Sequence, residues 1–272
     1  MSHSTVLVIG KDYEKQLEPF DENRLMARYV RHTKKELIAK GRKEIEDFKN
    51  GRYAEFLKDT EKYKRECPNL QHLEYVEVEF PKKLKWTDSQ IYKDQIRFYD
   101  KKEIGPEGEV YSTYNPHSKW DWYQLGGRWS GFFILKKGKK GKLGNHRLKE
   151  FDPSVADLPP DRADQARKGD IDFVAMRKEL ADQAEKWWKE FKSGKGFWDD
   201  KKDSTKKEFI SKHSKVATFA VLKDGVWYEQ GEMGWWGVVR DEKDPDKWQG
   251  EFDKLINGLP DNTLLSVVDV HI

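Results

Sequence analysis

A single cysteine, Cys67, stands in the 272 residues. One thiol closes no disulfide within the chain and supports no cysteine-based zinc site, and its scarcity fits a reducing, cytoplasmic compartment. Long apolar runs are missing too. No stretch approaches the roughly 18 apolar residues of a membrane span, so no membrane partner is expected. The start, MSHSTVLVIGKDYEK, lacks the basic beginning and small-residue cleavage site of a secretory leader. Charge of one sign is not in excess: 52 Lys and Arg against 49 Asp and Glu leave +3. So weak a field does not hold a polyanion, which argues against extended nucleic acid as a partner. Hydrophobic residues make up only 36%, but 13% of the chain is aromatic, and large rings bury enough area for a core.

Local signatures of common chemistry are absent as well. The seven histidines form no His-Glu-x-x-His or His-x-His pattern, so no metal and no cofactor is expected. No Gly-x-Ser-x-Gly elbow occurs, and the basic loop at 136–149 lacks the Gly-Lys-Ser/Thr of a phosphate loop. One long-range option exists. Asp269 and His271 share a strand face, and His3 joins them if the terminal strands pair. That grouping suits acid–base or metal work, or simply satisfied polar groups at strand ends.

Periodicity supplies the architecture. Residues 5–9 read as a strand apolar on both faces, hence central. Residues 22–50 recur at helical spacing through Leu25, Met26, Tyr29, Val30, Leu37, Ile38, Ile45 and Phe48, with Gly51 as a left-handed stop. A second helix follows at 53–65. Residues 73–80 alternate and predict a half-buried strand with Val76, Val78 and Phe80 inward, stopped by Pro81. A short helix is expected near 90–99. Residues 152–168 read as a linker or ordered loop, and 195–207 as a mobile charged stretch. Between them, Phe173, Met176, Leu180, Ala184, Trp187 and Phe191 define an amphipathic helix capped by Asp170 or Asp172. A hairpin turns at Asp224-Gly225, a helix starts at Asp244-Pro245, and residues 264–270 form a last strand. The expected fold is α+β: a single domain over 1–272 on a largely antiparallel sheet, with helical insertions at about 22–66 and 152–207. The terminal strands are expected side by side at its centre, and a ferredoxin-like topology is one option for the C-terminal part.

The candidate site lies in the tryptophan-rich segments. In NPHSKWDWYQLGGRWSG (115–131), Gly126-Gly127 reads as a two-residue hairpin loop. That register sets Trp122 opposite Gly131 and leaves a slot where a flat group stacks. Six of the eleven tryptophans fall here and in the second cluster, VWYEQGEMGWWG at 226–237. The residues nominated to hold a ligand are Trp120, Asp121, Trp122, Tyr123, Arg128, Trp129, Glu229, Trp235 and Trp236. The rings stack, Arg128 pairs with a phosphate or carboxylate, and the acids accept hydroxyl or amino donors. Core packing of the tryptophans and an ordinary Asp121–Arg128 ion pair are the competing readings.

Three stretches carry a resemblance: MSHSTVLVIG with LEPFDEN (17–23), the middle segment Asn115-Pro116-x-Ser118-Lys119-Trp120-Asp121-Trp122-Tyr123-x-x-Gly126-Gly127-Arg128-Trp129, and the ending Val267-Val268-Asp269-Val270-His271. In these the chain is similar to uncharacterised proteins of bacteriophages and prophages. The resemblance implies an accessory protein working in host cytoplasm, of a kind that often acts against host defence, and it carries over no active site. Three functions are therefore weighed. The first is a non-catalytic binder of a small anionic, nucleotide-like ligand that sequesters a host signal. The second is an inhibitor of a host protein through exposed aromatics. The third is a nucleotide-hydrolysing enzyme using the same pocket with Asp121, Glu229 or Glu232 as base. The first leads, so the sequence leans against catalysis, and it leaves the oligomeric state open.

Overall fold

The apolar run at residues 5–9 does form the middle of a central strand. A computed structural model of the protein describes residues 2–146, 149, 157–194, 205–234 and 237–271. The chain divides into two compact units: Met1–Arg24 together with Asn115–Ile272, and Leu25–Tyr114.

The first unit is built on a mixed sheet of β1 (His3–Ile9), β2 (Trp122–Gly127), β3 (Asn145–His146), β4 (Gln165–Arg167), β5 (Ala220–Lys223), β6 (Val226–Glu229) and β7 (Leu264–His271). Their order is β6-β5-β1-β7-β2-β3, and β4 pairs with the other half of β7. β1 with β5 and β2 with β3 are parallel; the remaining pairs are antiparallel. The terminal strands thus lie side by side, as expected. A ferredoxin-like half needs two parallel strands flanking an antiparallel one. Here β5 and β7 flank β1, but β5 runs parallel to β1 and β7 antiparallel to it, so the flanking strands oppose each other and that topology does not apply. The β5–β6 hairpin turns through Asp224 and Gly225 at φ 51 and 75, the left-handed pair of a type I′ turn.

Both faces of β1 are apolar because both are covered. Leu7 and Ile9 join Val267 and Leu265 under α1 (Phe173–Lys192) and α2 (Pro245–Asn257), which contribute Met176, Trp248, Phe252 and Ile256. Val6 and Val8 join Val268 and Val270 on the other face, against Leu17, Phe20 and Trp120. Each such fully buried aliphatic side chain contributes about 1.5–3 kcal/mol. Asp172 caps α1 by accepting the Ala175 N–H at 2.9 Å, and Asp244 caps α2 ahead of its leading proline. The stretch read as linker or ordered loop contains two short strands, Arg162–Ala163 and β4, and the charged stretch leads into a helix at Lys206–His213. Residues 195–204 lie outside the described ones.

The second unit is mainly helical. Its long helix, Lys34–Phe48, begins where Thr33 and Glu36 form a capping box, so residues 22–33 do not join it. Tyr29–His32 is instead a strand paired with Val110–Ser112, and Leu25 is 83% exposed. Gly51 is not a left-handed stop: it sits at φ −96 in an irregular turn that leads to Ala54–Lys58. Asp59 breaks the next helix and caps Thr60–Glu66 by accepting the Lys62 N–H. The strand expected at 73–80 is helical. Asn69 caps Leu70–Glu74, helical turns continue through Tyr75–Glu79, and Pro81 lies in the first turn of Phe80–Lys83. The alternation misled because Val76 and Phe80, four apart, also share a helix face. Both are fully buried, whereas Val78 is 45% exposed. Asp88–Ile96 packs on the long helix at Gly41, where an added Cβ would stand 2.5 Å from Ile91 Cγ2.

Candidate functional site

Antiparallel register brings the strand-end polar residues into rows. His3 lies opposite His271, which lies opposite Trp122; one row inward, Thr5 faces Asp269, which faces Gln124. All six share the sheet face whose deeper rows are Leu7, Val267, Ile9 and Leu265. The helices cover the apolar rows, and the polar rows occupy the end of the same face.

Each imidazole is held by its own carboxylate. His3 Nδ1 is 2.7 Å from Asp269 Oδ1, and His271 Nδ1 is 2.6 Å from Asp121 Oδ1. The hydrogen-bonding pattern assigns the Nδ1 proton in both rings, which leaves each Nε2 to carry a lone pair or a second proton. Among the described residues neither Nε2 has a hydrogen-bond partner. The rings touch edge to face at 5.0 Å between centroids, and Trp122 lies edge-on to His3 at 6.2 Å. The two environments differ. Asp269 is fully buried and His3 is 6% exposed, while Asp121 and His271 are 39% and 14% exposed. Burial holds the His3 imidazole below its ordinary value of 6.5; the Asp269 bond and charge pull it up, and the Arg128 and His271 charges push it down. His3 is therefore neutral at neutral pH and basic at Nε2.

The Gly-Gly pair shapes this geometry differently from the expected hairpin. Gly126 and Gly127 are the last residues of β2, at φ 74 and 60, not a loop between paired strands. The chain after them turns through Trp129 and Ser130 and pairs at Phe133–Ile134 with Arg162–Ala163. A Cβ on Gly127 would stand 2.4 Å from Asp269 Cβ, and one on Gly126 would stand 2.4 Å from Asp164 Oδ2. Both glycines are bare so that a buried carboxylate fits against each. Asp269 Oδ2 then accepts the Arg128 N–H at 3.0 Å. Asp164 accepts the N–H groups of Gly131, Phe132 and Gly144 and the Ser130 hydroxyl. Burial pushes its carboxyl up, and these donors pull it back.

The nominated residues separate accordingly. Asp121 and Trp122 join the histidine row, and the charge of Arg128, an exposed side chain, is felt at His3. Trp122 does not face Gly131, which packs on Leu158 and Arg162. Trp120 is core: buried, its Nε1 donates to the Leu17 carbonyl. Tyr123 points to the opposite face, against Trp120 and Tyr13. Trp129 is half-buried in the turn after β2. Glu229 is engaged by Lys119 at 2.7 Å and by the Trp227 indole at 3.0 Å. Trp235 and Trp236 lie outside the described residues; Gly237 beyond them lies near Ser2, whose Oγ would be 3.8 Å from an added Cβ. Asp164 was missed, because an isolated Asp in a Pro/Asp/Arg-rich stretch has no sequence signal. Among the described residues no group of three or more His, Cys, Asp or Glu is placed to hold a metal ion. No protein family, curated protein or solved structure matches the chain.

Proposed function

We propose that the protein is an acid–base enzyme that acts on a phosphodiester of a small nucleotide-like anion. The reading rests above all on the two imidazoles in contact, each with Nδ1 held by a separate carboxylate. A ligand-binding recess has no need to fix the tautomer of two histidines, whereas proton transfer does. Neutral His3 serves as base through Nε2, and His271 serves as acid through its own Nε2. Arg128 supplies a charged fork for non-bridging phosphate oxygens. Trp122, 39% exposed, supplies a face for a base.

The test is incubation with a panel of linear and cyclic nucleotides and dinucleotides, with product analysis and tryptophan emission read together. Turnover by the protein is expected, falling by about 10²–10⁴-fold in His3→Ala or His271→Ala. Quenching without any turnover overturns the reading in favour of sequestration of the ligand.

A further inference from the structure

A phosphodiester is broken only if something attacks phosphorus, and among the described residues the site face offers no free side chain for that. Thr5 Oγ1 already accepts the Phe219 N–H at 3.1 Å. The Ser130 hydroxyl donates to Asp164. Ser4 alternates with His3 and so belongs to the other face, and Ser2, just before β1, keeps its hydroxyl buried. Both Asp269 oxygens are engaged, by His3 and by the Arg128 N–H. With none among the described residues, the attacking oxygen comes with the substrate or from water.

Resting on the acid–base reading above, we infer that the attacking oxygen is the substrate's own ribose 2′-hydroxyl, so that the substrate class is a ribonucleotide 3′-phosphodiester. Two features favour the internal nucleophile. A hydroxyl already bonded next to the phosphate carries an effective concentration of about 10⁵–10⁸ M, which free water lacks. The histidine pair also supplies what such a displacement needs, a base and an acid side by side, with a cation for the phosphate.

The step balances without an outside reagent. His3 Nε2 takes the 2′-hydroxyl proton as that oxygen bonds to phosphorus. The bond from phosphorus to the 5′-oxygen breaks, and His271 gives its Nε2 proton to the leaving oxygen. The products are a 2′,3′-cyclic phosphate and a free 5′-hydroxyl. One proton enters at His3 and one leaves at His271, so a proton passing back through solvent restores the starting state.

The experiment compares a diribonucleoside monophosphate with its 2′-deoxy counterpart on the intact protein, with products read by phosphorus NMR. The expected result is cleavage of the ribo compound to the cyclic phosphate, with the deoxy compound slower by at least about 10²-fold. Equal cleavage of both, or a product carrying solvent oxygen with no cyclic phosphate before it, overturns this inference and leaves the acid–base reading standing. So does an uncut ribo dinucleotide beside another phosphodiester that is cut. Loss of cleavage in Ser2→Ala with the fold intact makes that serine the nucleophile and also overturns it. Absence of cleavage of any phosphodiester overturns both.

Discussion

Asp164 and Asp269 are both fully buried carboxylates, and each presses on a glycine at the end of the same strand. Their partners differ. Asp164 gathers three backbone N–H groups and a hydroxyl, none of which changes charge, and ties three chain segments together. Asp269 accepts one backbone N–H and spends its other oxygen on an imidazole. A buried acid surrounded by fixed donors is a fastener. A buried acid facing a titratable ring sets that ring's tautomer and basicity. The two also predict opposite balances between stability and turnover.

The largest expected effect falls on the fastener. Asp164→Ala leaves the buried Gly131 N–H and the partly buried Phe132 and Gly144 N–H groups without their acceptor, and each fully buried orphan costs about 1–3 kcal/mol. A loss of about 3 kcal/mol or more in urea unfolding is expected. A loss within about 0.5 kcal/mol, typical of a neutral surface substitution, would mean that the knot does not hold the loops. Gly127→Ala comes next. Its φ of 60 disfavours a side chain, and the new Cβ would overlap Asp269. Strain of about 1–3 kcal/mol is expected, with turnover lost because the carboxylate behind His3 must shift.

Asp269→Asn sharpens the comparison from the other side. The amide keeps the shape and still accepts the Arg128 N–H through its oxygen, so stability falls by only about 1 kcal/mol. Its NH₂ faces His3 Nδ1, which favours the proton on Nε2 and removes the base. Turnover is expected to drop by about 10²–10⁴-fold while ligand-induced quenching persists. Equal losses in folding and turnover would put Asp269 in the same class as Asp164.

How much of this was legible follows from the physics of each signal. The central strands were readable because fully covered strands are apolar on both faces, and His3, Asp269 and His271 grouped as soon as those strands paired. Asp121, Trp122 and Arg128 were nominated on local grounds, but their association with the histidines was not, since it depends on which strand lies beside β7. The Gly126-Gly127 pair resembled a hairpin loop because positive φ serves turns and close approaches alike. In the helical unit, residues 73–80 satisfied periods of 2 and 3.6 together, and only the Asn69 cap decided between them.

The smallest expected effect concerns charge at His3. Arg128→Ala removes a positive charge that pushes this imidazole down, so its titration, followed by NMR, should move up toward the ordinary 6.5 while Asp269 and His271 still act on it. In the unaltered protein the folded value lies below the unfolded one. The stability linked to His3 is therefore present above about 6.5 and is lost as pH falls through the lower folded value. Arg128→Ala should flatten that acid-side loss and shift the rising limb of the turnover profile to higher pH, because the base then protonates earlier on acidification. An Arg128→Ala protein whose His3 titration stays where it was would place the guanidinium too far away to meet a phosphate held at His3.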